Sequence, residues 1–85
     1  MIFKFSEEIC TFVIGDGTGG TEEKIGDTDT EDECADLVRS TKPSANGATW
    51  GADWSNRREC YAEYNATGID DDFIWKTCLF NGKLL

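Results

Sequence analysis

"TDTEDECADLVRST", residues 28–41, decides how this chain folds. The run opens on threonines and acids, carries an apolar stripe through its middle and closes toward basic residues. Thr30 with Glu33 fits a capping box, in which side chains satisfy backbone N–H groups that a first helical turn leaves unpaired. Thr28 with Glu31 is an alternative register for the same box. Acids in the first turn, with Arg39 and Lys42 at the far end, both suit the helix dipole. Cys34, Leu37, Val38 and Thr41 recur at i, i+3, i+4 and i+7, so the spacing predicts one stripe facing a core, with Cys34 in it. Pro43 then stops the helix.

On either side of this helix the sequence reads as strands. "ICTFVIG" (9–15) is β-branched and aromatic and predicts a buried strand. "DGTGG" (16–20) follows as a turn, and "EEKIG" (22–26) is a second short strand that would close an N-terminal hairpin. Beyond the helix, "GATWG" (47–51) and "ECYAEY" (59–64) read as strands around a polar loop carrying Trp54, Arg57 and Arg58. "NATGIDDD" (65–72) is a loop pivoting on Gly68, and "FIWKTCLF" (73–80) is the last strand. Neither face of that strand is cleanly apolar, which suits a strand covered on both sides. The expected fold is α+β: a single helix packed on a small antiparallel sheet, with residues 1–85 as one domain.

A chain of 85 residues, 39% hydrophobic, has a modest core and calls for covalent staples. The four cysteines are Cys10, Cys34, Cys60 and Cys78. No two form a tight C-x-x-C pair and there is no histidine, so the spacing argues against zinc and for two disulfides in an oxidising compartment. Cys34 lies on the buried helix face, and Cys60 lies in a strand that should pass beneath it. Cys10 and Cys78 lie in the first and last strands. The expected pairing is therefore Cys34–Cys60 and Cys10–Cys78, one nested inside the other.

The runs "DECADLV" (32–38), "ANGATW" (45–50), "RRECYAEY" (57–64) and "FIWKTCLF" (73–80) together resemble a PAN/apple-like domain over roughly residues 9–80. In that family a helix-borne cysteine is tied to a central strand and an outer bond joins the terminal strands. Many members carry a second helix cysteine three or four residues after the first. Here that stretch reads "CADLV", so the resemblance is to a two-disulfide form. It implies a secreted adhesion or recognition module, binding proteins or carbohydrates and without catalytic activity of its own. The family has no single ligand site to transfer residue by residue.

Charge and residue types narrow the functions further. A net charge of −9 repels nucleic acid and anionic membrane surfaces, and no apolar run is long enough for membrane insertion. "MIFKFSEEIC" (1–10) places a lysine and acids where a signal peptide would be apolar, so the chain reads as a mature secreted domain or an excised module. Without histidine there is no Ser-His or Cys-His nucleophile. Glu59 and Glu63 share one face of their strand and Asp70, Asp71 and Asp72 follow. So small a domain is not expected to enclose a carboxyl well enough to raise its pKa, and neither catalysis nor a cofactor is predicted.

"DTDTEDE" (27–33) begins like a calcium loop, but it lacks the glycine at position 6 and the glutamate at position 12, and a helix cap accounts for its acids. Asp70–Asp72 reads as a solvated acidic loop before it reads as an oxygen site for a metal. Asn65-Ala66-Thr67 is an N-glycosylation sequon after a strand, where an ordinary turn asparagine would also fit. Trp50 and Trp75 are expected in the core. Trp54, beside Arg57 and Arg58, is either an exposed recognition residue or a lid folded over the helix–sheet seam. The expected function is an extracellular binding module for a protein or glycan. An acidic matrix component binding cations or mineral, or a small secreted inhibitor, are alternatives. The ligand and the oligomeric state stay open at this point.

Overall fold

The computed structural model describes residues 10–80. Its elements are β1 (Val13–Ile14), β2 (Gly17–Thr18), β3 (Thr21–Asp27), α1 (Glu31–Thr41), β4 (Gly47–Gly51), a 3-10 turn (Trp54–Asn56), β5 (Glu59–Tyr64), β6 (Gly68–Ile69) and β7 (Trp75–Leu79). Five strands form one sheet in the order β1-β7-β4-β5-β3, and β2 pairs with β6 in a separate ribbon. All the pairings are antiparallel. One helix packs on this sheet, across β4 and β5, which is the α+β arrangement expected.

The helix starts at the predicted cap. Thr30 is extended, at φ −136, and its hydroxyl accepts from the Glu33 N–H at 3.2 Å. The return half of the box reaches one residue further than expected, since the Asp29 N–H donates to Glu33 Oε1 at 3.0 Å. Lys42 closes the last turn by donating its N–H to the Val38 carbonyl at 2.8 Å. Cys34, Ala35 and Val38 are buried and Leu37 is half-buried. Thr41, predicted in the stripe, is exposed, and its hydroxyl donates to the Leu37 carbonyl at 2.6 Å. The stripe therefore ends a turn early, at Val38.

Small side chains make the core. Ala35, Ala45, Ala48 and Ala62 surround Val38, Cys34, Cys60 and Cys78. Among the described residues no fully buried side chain is larger than valine. Ala48 lies between Ala62 on β5 and Cys78 on β7, so the helix meets a sheet surface with little bulk on it. Alanines contribute little area to the hydrophobic term, so the sulfur links matter more. Cys34–Cys60 and Cys10–Cys78 both form, with Cα–Cα separations of 5.5 and 5.7 Å. This is the predicted pairing.

The N-terminal hairpin is not formed. β1 and β3 lie at opposite edges of the sheet, β1 against β7 and β3 against β5. Of the predicted strand 9–15 only Val13 and Ile14 pair, opposite Thr77 and Lys76, and they are 45% and 57% exposed rather than buried. Ile9 and the N-terminal run read against a signal peptide lie outside the described residues. Gly15, at φ +132, then swings the chain off the sheet. A side chain there would be strained, and its Cβ would collide with the Asp70 backbone. The predicted turn at 16–20 consequently contains a strand, because Gly17 and Thr18 pair with Ile69 and Gly68. Gly68, expected as a loop pivot, is likewise a strand residue. β7 sits between β1 and β4 with Thr77 and Cys78 both buried, so it is covered on both faces, as its mixed pattern suggested. No helix among the described residues is long and apolar enough to cross a membrane.

Candidate functional site

The loop between β4 and β5 is a built turn. Asp53 caps the 3-10 turn by accepting from the Ser55 N–H at 3.3 Å, and the Asp53 N–H donates to Asn56 Oδ1 at 2.8 Å. Asn56 is buried, and its amide donates to the Ile74 carbonyl at 2.8 Å, while the Ala52 N–H donates to that same carbonyl at 3.0 Å. Two bonds thus fasten the turn to the chain just before β7. From this base Trp54 projects with 83% of its surface in water. The Arg57 guanidinium lies 5.0 Å from its ring centroid, so ring and cation form one exposed unit. Trp54 is no lid over the helix–sheet seam.

Arg58 faces another way. It adopts φ +67, pairs with Asp29 at 3.0 Å and takes the Thr28 N–H on its carbonyl at 2.9 Å. It ties the turn to the approach of α1 and leaves Trp54 with Arg57. Phe73, read from sequence as part of the last strand, is 75% exposed and directly precedes the Ile74 anchor. Its neighbours Asp70–Asp72 were the available signal: three acids in a row prevent a buried strand from starting there.

The other tryptophans divide. Trp50 packs against the helix-side core and donates its indole N–H to the Thr28 carbonyl at 3.3 Å. Trp75 is half-buried and meets Tyr61 edge to face, with ring centroids 5.4 Å apart. Tyr61 alternates with Cys60, so this pair lies on the sheet face away from the helix.

That far face also gathers acids from separate parts of the chain. Carboxylate oxygens of Asp16, Glu22 and Glu63 all lie within 4.8 Å of one another. Glu22 stands directly across from Glu63 in the β3–β5 register. Glu63 is only 2% exposed, with Oε2 2.6 Å from the Thr49 hydroxyl. Thr49 lies 2.7 Å from the Thr77 hydroxyl, which donates to the Gly15 carbonyl at 2.8 Å. Burial, and then the charge of Glu22, raises Asp16 to about 6. Burial, reinforced by Glu22, raises Glu63 to about 7. The expectation that this small domain cannot raise a carboxyl pKa is therefore overturned. The β2–β6 ribbon supplies the cover that the thin core lacks, since Gly17 sits so close that a Cβ there would be 2.7 Å from the Glu63 carboxyl. Glu59 shares the face but is half-buried and serves Lys24 and Tyr61, at 3.6 and 3.1 Å.

Most of the remaining acids have structural partners. In 27–33, Asp27 pairs with Lys24, Asp29 with Arg58, Glu31 with Lys76, and Glu33 with the Asp29 N–H. The Asp70 carboxylate accepts from the Asp16 and Asp72 N–H groups at 2.8 and 2.9 Å, and these bonds hold it below the ordinary value. Asn65 is exposed at φ +59, a conformation asparagine tolerates well, so turn geometry by itself accounts for the residue. No family model matches this chain, and no curated protein or solved structure matches it either.

Proposed function

We propose that this chain is an extracellular, non-catalytic recognition module of PAN/apple-like type that binds a protein or a glycan through Trp54 and Arg57. The observation that carries this reading is the exposed Trp54 on a turn fixed by Asn56. An indole left in water at the tip of a rigid turn needs no reordering before it packs on a partner, and low ordering cost favours affinity. Trp and Arg are the residues most often found at the energetic centre of interfaces. The indole face suits a sugar ring, and the guanidinium suits a carboxylate or sulfate. Two disulfides in so small a domain support an oxidising compartment. The helix-to-sheet and N-terminal-to-last-strand pairings support the PAN/apple-like reading.

Trp54→Ala tests it on an array of glycans and extracellular protein domains. The variant keeps the wild-type melting temperature, because Trp54 contributes little to the core. Its affinity for the array hit falls about 30-fold or more, as at an interface hot spot. Equal binding by both proteins, or binding that tracks added calcium and ignores Trp54, rejects the assignment.

A further inference from the structure

The hydroxyl chain on the far face fixes where a proton sits. The Gly15 carbonyl has no proton to give, so Thr77 is the donor in their 2.8 Å contact. A threonine hydroxyl has one proton, and that of Thr77 is committed. The 2.7 Å contact between Thr77 and Thr49 therefore takes its proton from Thr49. Thr49 then has none left for Glu63 Oε2, 2.6 Å away. Only the carboxyl can supply the missing hydrogen. We infer that Glu63 is held as the neutral acid in the folded protein, heading a one-way chain through Thr49 and Thr77 that latches the Gly15 corner to the sheet and opens when Glu63 ionises.

The surroundings of Glu63 agree with that proton. Glu22 faces it from β3 and Asp16 faces it from the corner, both acids. Asp70 and Asp72 add negative charge at Asp16 from the loop after β6. Tyr61, two residues along β5, has its own ionisation pushed upward by burial and the neighbouring acids. Lys24, on the same face, is engaged by Glu59 and Asp27, at 3.6 and 3.7 Å. Like charges directly opposed across a strand pair are unfavourable, and a proton on Glu63 removes one of them. A divalent cation held by the three carboxylates would need Glu63 ionised, which leaves the chain one proton short.

Ionising Glu63 strips a hydrogen from one buried contact. The carboxylate, the strongest acceptor in the chain, takes the Thr49 proton, and then either the Gly15 carbonyl loses its donor or two threonine oxygens face each other without a proton. Both outcomes loosen the turn that carries β1 into β2. The sign follows from linkage. The folded values of Glu63 and Asp16, about 7 and about 6, stand above the ordinary 4.5 and 3.8. Their contribution is complete below the ordinary values and is lost as pH rises through the folded ones. The chain has no histidine to mask this window. The melting temperature should be lower by about 5–10 °C at pH 8 than at pH 5.5.

Carbon-13 NMR of the glutamate carboxyls reads the proton directly, and Glu63 should titrate at about 7. Glu63→Gln keeps an N–H for Thr49, so its melting temperature stays near the acid value and loses most of its pH dependence, leaving the smaller share due to Asp16. Thr77→Val frees Thr49 to donate to the carboxylate, so the Glu63 midpoint falls by about 1 unit or more. A carboxyl that is merely buried would not respond to that distant methyl. Titration of Glu63 in the ordinary carboxylate range overturns the inference. So does an unshifted midpoint in Thr77→Val, or calcium chloride raising the wild-type melting temperature at pH 7.5 with Glu63 ionised. The wild-type and Thr77→Val titrations decide the matter even where Glu63→Gln fails to fold.

Discussion

Replacing Cys34 and Cys60 together by alanine leaves a chain that is largely unfolded at 25 °C, while the Cys10→Ala/Cys78→Ala chain still folds with a lower melting temperature. Loop closure on its own predicts the reverse order. The two bonds span 26 and 68 residues, and the entropy they remove from the unfolded chain corresponds to roughly 3.5 and 4.4 kcal/mol. Packing reverses that ranking. Cys34 and Cys60 are both fully buried, in a core whose other members are mainly alanines and Val38. Their sulfurs fill space at the centre of that core, and the cavity left by their removal adds about 1–2 kcal/mol to the loss. The sum approaches the ~5 kcal/mol at the lower end of domain stability. Cys78 is fully buried as well and leaves its own gap, but the outer bond joins β7 to half-buried Cys10, which precedes β1, so the strand pairings and the helix-to-sheet link both stay in place when it goes. Urea unfolding of both double variants, followed by far-ultraviolet circular dichroism, measures the difference. A Cys34→Ala/Cys60→Ala protein with the wild-type midpoint would mean that the helix needs no covalent hold on the sheet.

What the sequence disclosed and what it hid separate along local and distant contacts. The helix was legible because its signals lie within a few residues of each other: the Thr30 cap, the acidic first turn, Cys34 and Val38 one turn apart, and Pro43 beyond. The disulfide pairing followed, since a buried helix face admits only the strand beneath it. Strand partners were not legible at the N-terminus. Val13 pairs with Thr77, far along the chain, and nothing near Val13 distinguishes that partner from the adjacent 22–26 segment. Glu63 was hidden for a related reason. An acid alternating with Cys60 and Ala62 reads as the wet side of a strand, and only the β2–β6 ribbon, formed by residues distant from it, turns that side into an interior. Trp54 stood out because its polar neighbours offered no stripe to bury it. Its exposure depends on Asn56, whose bond to Ile74 crosses the sheet end and leaves no mark on the local pattern.

That dependence can be broken from the β4 side. Gly51→Ala should destabilise the domain by about 3 kcal/mol and abolish ligand binding even at temperatures where the variant remains folded. The last residue of β4 packs directly beneath the turn. A Cβ on Gly51 would fall inside contact distance of the Asn56 carbonyl oxygen and 2.8 Å from its carbonyl carbon. Those are backbone atoms, so no rotamer change relieves the overlap, and the turn itself must move. Gly51 also takes the Arg58 N–H on its carbonyl at 3.2 Å, so displacement pulls on both ends of the turn. Asn56 then loses its line to the Ile74 carbonyl, and the Trp54–Arg57 unit loses its fixed direction. Gly68→Ala serves as the control. The nearest atom its Cβ meets is the Thr18 hydroxyl at 3.2 Å, a side-chain group that can shift, and the stability change stays within about 1 kcal/mol. Melting curves give the stability difference. Binding to the hit found with Trp54, measured well below the Gly51→Ala melting temperature, gives the rest. Full affinity in folded Gly51→Ala would place the contact surface somewhere other than this turn.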